Sequence, residues 1–162
     1  IWKGLVGSEM CIRDSHYTEC GLDNVIIRNA NFVSEDHDGE PVVCIQSVGM
    51  LHKAIAEGRI NQSGTLNGQE IRFLRTEMGM TQSELAELVN RDTQSVGRWE
   101  RNEIVLEPTI DILLRQLAAE RLELALEGSI TSLIQLARHK ATQAQITIEK
   151  TTDAKRPYAP AA

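Results

Sequence analysis

Residues 81–100 read TQSELAELVNRDTQSVGRWE, and the order of residue types along them specifies two short helices across a tight turn. Thr81 and Glu84 have the spacing of a capping box, in which hydroxyl and carboxylate each satisfy an orphan backbone N–H, so a helix is expected from about Gln82. Leu85, Ala86 and Val89 give that helix an apolar stripe, and the small Ala86 lets a second helix cross closely. Asn90 falls at the helix end, where a left-handed backbone is usually needed and Asn is the commonest substitute for Gly. Asp92 then caps a second helix, with Val96 and Trp99 on its inner face and Thr93, Gln94, Ser95, Arg98 and Arg101 on its outer face. Amide, hydroxyl and guanidinium groups in that density can read base edges. Gln bonds adenine through two atoms and Arg does the same to guanine.

The flanks extend the helical pattern. Glu107 and Pro108 give an acidic entry with Pro near the first turn, and Thr109–Leu122 carries Ile110, Leu113, Leu114 and Leu117 as an apolar face. Gly128 breaks the run, and Ser129 can cap a last helix, SITSLIQLARHKA, with Ile130, Leu133, Ile134 and Leu136. EIRFLRTEMGMTQSELAELVN and DTQSVGRWERNE resemble the Cro/CI-type, or XRE, helix-turn-helix proteins over Leu66 to about Leu117. The resemblance implies a five-helix-type domain whose second motif helix enters the major groove, with dimers reading two half-sites. It implies that Gln82 holds a phosphate and that Thr93, Gln94 and Arg98 face bases. Arg75 and Glu100 match a family pair that ties the preceding helix to the recognition helix, a structural salt bridge. The sequence departs from the family at Arg91, usually apolar, and at Asn102 and Glu103, which replace a Gly and a basic or polar residue. Between Leu66 and Leu117 six bases face nine acids, a net charge of −3. Such a domain should bind random DNA poorly and depend on a dimer and a cognate operator.

Ahead of the motif lies a smaller unit. Asn24–Val33, NVIIRNANFV, is β-branched and reads as a strand, Asp38-Gly39 signals a hairpin turn, and Pro41–Gln46 supplies a second strand. Val48–Gly58 places Met50, Leu51, Ala54 and Ile55 on one helix face and stops at Gly58. The fold expected is therefore mainly α, a helix-turn-helix domain at 68–122 preceded by a small ββα unit at 16–58. A Gly-, Ser- and Asn-rich flexible linker at 59–67 joins them, a helix and short strand follow at 123–150, and 151–162 reads as a disordered tail. YTECGLDNV, the hairpin and LHKAIA resemble more weakly the front of MqsA-type antitoxin regulators, which can hold zinc through paired C-x-x-C motifs. Neither pair exists here. A site built from Cys20, Cys44 and two of His16, His37 and His52 competes with the simpler reading of packed cysteines and solvated histidines, which the spacing favours. No cofactor is expected.

Leu5–Ser15, LVGSEMCIRDS, resembles a translated sequencing adapter and Ile1–Gly4 fits its flank, so residues 1–15 are set aside and the natural start is expected upstream. The chain of 162 residues carries a formal charge of −6, which argues against a polyanion-coating or membrane-surface protein. No apolar run approaches the ~20 residues of a membrane span. Few cysteines fit a reducing, cytoplasmic setting. A phosphate-binding Gly loop, a Ser/His/Asp order and metal-hydrolase spacing are all missing, so an enzyme is not expected. Three readings remain: a repressor binding a double-stranded operator as a homodimer through the helices at 109–139, an antitoxin that also binds a toxin protein, and a protein-interaction module without DNA.

Overall fold

Reciprocal caps set the starts of two helices in the computed structural model, which describes residues 14–29, 33–35, 41–43, 45–138 and 144–161. Asn67 and Glu70 form a capping box at the start of α2 (Gly68–Glu77), and Thr81 and Glu84 form another at α3 (Gln82–Leu88). Asp92 accepts from the Ser95 N–H to start α4 (Thr93–Glu100), and Pro108 opens α5 (Pro108–Leu122) behind Glu107. A long helix, α1 (Val48–Ile60), precedes these four and α6 (Ile130–Arg138) follows them. The molecule is mainly helical with a small strand unit in front, as the sequence patterning specifies.

The strand unit is assembled differently from the ββα expectation. β1 (Ser15–Tyr17), β2 (Val25–Arg28), β5 (Ile146–Lys150) and β6 (Tyr158–Pro160) form one sheet in the order β1-β2-β5-β6. β1 and β2 run antiparallel, β2 and β5 parallel, β5 and β6 antiparallel. The segment read as a single strand from Asn24 to Val33 instead stops at Arg28, because Asn29 takes a left-handed φ of 58°. Val33–Glu35 and Pro41–Val43 pair as a separate ribbon, β3 and β4, while the Asp38-Gly39 turn lies outside the described residues. The tail read as disordered supplies β6: Tyr158 is buried against the core and Thr151 N bonds Pro157 O at 2.8 Å. Residues 1–13 also lie outside the described residues, whereas Ser15 is buried and pairs with Ile27, so the boundary of the adapter-like stretch falls inside β1.

Gly58 does not stop α1. The helix runs through it to Ile60, and a Cβ there would meet Ile146 at 3.4 Å and Pro160 at 3.5 Å, ordinary packing contact with the sheet. Leu51, Ala54 and Ile55 are buried as the periodicity requires, but Met50 is 45 % exposed. In α5, Ile110 and Leu114 are buried while Leu113 is 46 % exposed, because the buried stripe turns toward Asp111, Arg115 and Ala118.

Those two charged residues hold the segment read as a flexible linker. Asp111 and Arg115 are fully buried, with Arg115 Nε 2.6 Å from Asp111 Oδ1. Arg115 also donates to the carbonyls of Ile60, Gln62 and Gly64 at 2.8, 2.7 and 2.6 Å, and Asp111 Oδ2 accepts from Leu66 N at 2.7 Å. Arg59 donates to the carbonyls of Gln62, Gly64 and Thr65, and its Nε lies 2.6 Å from Glu70 Oε1, an off-axis contact of charges without a hydrogen bond. Turn-forming residues at 59–67 thus present their carbonyls inward to two guanidinium groups. The connection is clamped, and the strand unit and the helices share one core.

Candidate nucleic-acid interface

The two motif helices are fixed by their local chemistry. Glu84 N donates to Thr81 Oγ1 at 3.2 Å, while Thr81 N and Thr81 Oγ1 donate to Glu84 Oε2 at 2.7 and 3.0 Å and hold the Glu84 carboxyl below its usual range. Asn90 adopts φ 53° and Arg91 N bonds Ala86 O at 2.8 Å, which closes α3 and makes the turn. Leu85, Ala86, Val89, Val96 and Trp99 are buried between the helices. Arg91, the departure in the turn, lies on the surface with Nη2 2.8 Å from Glu107 Oε2, so the turn tolerates it without burying its charge.

On the outside, Gln82, Thr93, Gln94, Gly97, Arg98 and Arg101 line one shallow cleft across the start of α3 and the exposed side of α4. Thr93, Gln94 and Arg98 are exposed, and their side chains make no hydrogen bond or ion pair among the described residues. Their donors and acceptors face solvent.

The other candidates are engaged. Arg75 Nε donates to Glu100 Oε1 at 2.5 Å and Arg75 Nη2 to Glu100 Oε2 at 3.2 Å, while Arg75 Nη1 donates to Met80 O at 2.7 Å. Gln82 Nε2 donates to the same Glu100 carboxylate at 2.8 Å, which uses one amide N–H and leaves the second for an acceptor such as phosphate. Ser95 Oγ donates to Asp92 Oδ2 at 2.8 Å, so only its lone pairs are left toward the outside. These bonds from Ser95 hold the Asp92 carboxyl below its usual range.

Arg101 is caught by an acid. Its Nε and Nη2 donate to the two Glu103 oxygens at 2.7 and 3.2 Å, a pairing that raises Arg101 and lowers Glu103 from their ordinary pKa values. A DNA phosphate reaching Arg101 must displace Glu103. Glu103→Gln is therefore expected to tighten binding to random duplex and to steepen its log–log salt dependence by about 0.9, the increment for one added phosphate contact. A salt series on a random duplex reads this directly; an unchanged slope would remove Arg101 from the contact set.

One residue that holds α4, Asn102, was not singled out for that role from the sequence. Asn102 stands where the family usually places Gly and takes φ 58°, so the departure preserves the left-handed cap. Its Oδ1 accepts from Gly68 N at 2.7 Å, joining the end of α4 to the start of α2. A polar, αL-tolerant residue immediately after the predicted helix was the available signal.

The residues considered for zinc are not brought together. His52 bonds Tyr17 Oη through Nε2 at 2.8 Å and Glu77 Oε1 through Nδ1 at 2.7 Å. His16 Nε2 lies 2.5 Å from Asp23 O, and burial pushes the free Cys20 thiol up. Burial likewise pushes the Tyr17 phenol up to about 12. Cys44 and His37 lie outside the described residues, among which no cluster of three ligand-type side chains occurs.

Residues 71–119 match the family model described as Helix-turn-helix. No curated protein and no solved structure matches the chain. Among the described residues no helix is long and apolar enough to cross a membrane.

Proposed function

We propose that this protein, whose residues 71–119 match a helix-turn-helix family model, is a cytoplasmic, sequence-specific transcriptional repressor of the Cro/CI type that occupies a double-stranded operator as a homodimer. The observation that carries the reading is the pair Gln94 and Arg98, solvent-facing and unpartnered on α4 within one cleft with Thr93 and Gln82. With α4 in the major groove, Gln94 and Arg98 read base edges while Gln82, braced by Glu100, meets a phosphate. Ser95 accepts from a base-edge donor, and Arg101 reaches phosphate after leaving Glu103. The domain's negative balance keeps affinity for random DNA low, so occupancy depends on base contacts and on two half-sites bound together.

Apolar surface next to the motif suits the pairing of two copies. Val105 is 83 % exposed, and Ile104 and Leu113 are also exposed, on the loop into α5 and on α5 itself. Large apolar side chains left exposed are available to pack against a partner. A second copy packed there would complete the two-half-site reader.

Recovery and sequencing of genomic fragments bound by the protein tests the proposal. An inverted repeat beside a promoter is expected. Gln94→Ala and Arg98→Ala should each lose about 1–3 kcal/mol of discrimination at defined base pairs, whereas Gln82→Ala should weaken all sequences alike. Equal losses on every sequence would sink the base-reading assignment, and an absence of enrichment would sink DNA binding as the function.

A further inference from the structure

A cleft of about 700 Å3 opens between α1, the C-terminal end of α5 and the turn that joins β5 to β6. Its size lies within the roughly 300–1,000 Å3 of small-ligand sites, and such sites favour junctions between structural units. The surface inside is mainly apolar, drawn from Met50, Ala54, Leu122, Leu124, Pro157 and Tyr158. Tyr158 presents its ring there because its hydroxyl donates to Gln46 O at 2.8 Å. Met50, which helical periodicity assigns to the core, is exposed on this side instead.

The charges around the cleft sort by partner. Arg156 Nη2 lies 2.7 Å from Glu57 Oε1, and Glu77 Oε1 lies 2.7 Å from His52 Nδ1, so both acids are engaged. Lys53 and Lys155 also line the cleft, and among the described residues neither ammonium group makes an ion pair. Glu123 is the one lining acid left without a partner among the described residues, and it is exposed at a left-handed φ of 54°. Gly49, in the first turn of α1, lines the same space, and Ser47 gives that helix no side-chain cap, so the positive end of the helix adds to the field of the two lysines.

We propose that this cleft binds a small monocarboxylic acid with an apolar body, its carboxylate between Lys53 and Lys155 and its body against Met50, Leu122 and Leu124. A neutral alcohol of the same length leaves both ammonium groups unmatched, and an amine meets them with like charge. The ligand would touch α1 and the end of α5 together. The inference concerns binding alone and stands whether or not the protein is a repressor.

The test uses the full chain and follows the Met50 methyl resonance during titration with octanoate, octanol and octylamine. Octanoate is expected to shift it saturably, octanol to bind at least about tenfold more weakly, and octylamine not to bind. The Lys53→Gln, Lys155→Gln double variant, altered only at exposed positions, should lose octanoate binding by about tenfold or more while binding octanol as before. Octanol binding as tightly as octanoate, a preference for octylamine, no saturable shift with any of the three, or a double variant that still binds octanoate normally would each overturn the proposal.

Discussion

Asp111→Ala is expected to destabilise the protein by about 3–5 kcal/mol, the usual loss when one member of a buried ion pair is removed. The carboxylate is fully buried, meets Arg115 Nε at 2.6 Å and accepts the Leu66 N–H at 2.7 Å. Without it, a guanidinium and a backbone N–H are left in the interior with no anion between them. Burial already draws Arg115 below its ordinary pKa, with Asp111 as the main opposing influence, so desolvation is the dominant force on this group. Arg115 still has the carbonyls of Ile60, Gln62 and Gly64, which limits the loss and keeps the cation in place. Urea unfolding measures the change. A loss under about 1 kcal/mol would mean that water enters and replaces the carboxylate, and that residues 59–67 are not clamped.

Gly68→Ala should cost about 1–3 kcal/mol or more through overpacking, a fall in Tm of roughly 2–12 °C for a chain of this size. A Cβ at Gly68 would stand 2.4 Å from Glu100 O and 2.6 Å from Trp99 O, both backbone atoms that cannot rotate away. Relief requires α2 and the end of α4 to separate, which stretches the Gly68–Asn102 bond and the Arg75–Glu100 pair together. Affinity for operator and random DNA should fall together, since the whole recognition helix shifts. Gly97→Ala is the control: its Cβ would meet the tip of the Arg101 side chain at 3.0 Å, a flexible group that can swing aside. Equal melting temperatures for Gly68→Ala and the unaltered protein would show that the contact relaxes without cost.

What could be read from the sequence was local. Thr81 with Glu84, Asp92 with Ser95, and Asn90 at the turn are interactions over three residues or fewer, so residue order alone specifies them. Buried positions on α3 and α4 followed from the helical period. The sheet did not, because β2 and β5 are parallel partners separated by most of the chain, and no periodic signal couples Ile27 to Ile148. Residues 59–67 have a linker's composition, yet composition does not reveal that their carbonyls meet Arg59 and Arg115. Gly58 and Met50 were misplaced for related reasons: one lies inside a helix that continues against Ile146 and Pro160, and the other faces a cleft that the turn before the last strand helps to line. Within the candidate interface the outward side chains were legible, but the brace on Gln82 and the capture of Arg101 depend on acids whose direction only the folded helices set.

Pairing β2 with β5 also fixes an order of events during synthesis. β2 leaves the ribosome about 120 residues before its partner strand, a delay on the order of ten seconds at ordinary elongation rates. All the motif helices are made within that interval, and their contacts are short in sequence. The helix-turn-helix can therefore form on the nascent chain while β1 and β2 wait with one edge open. The sheet can close only after residue 146 has been made, and a chain released before it would carry the motif helices beside a β2 paired with β1 on one edge and open on the other.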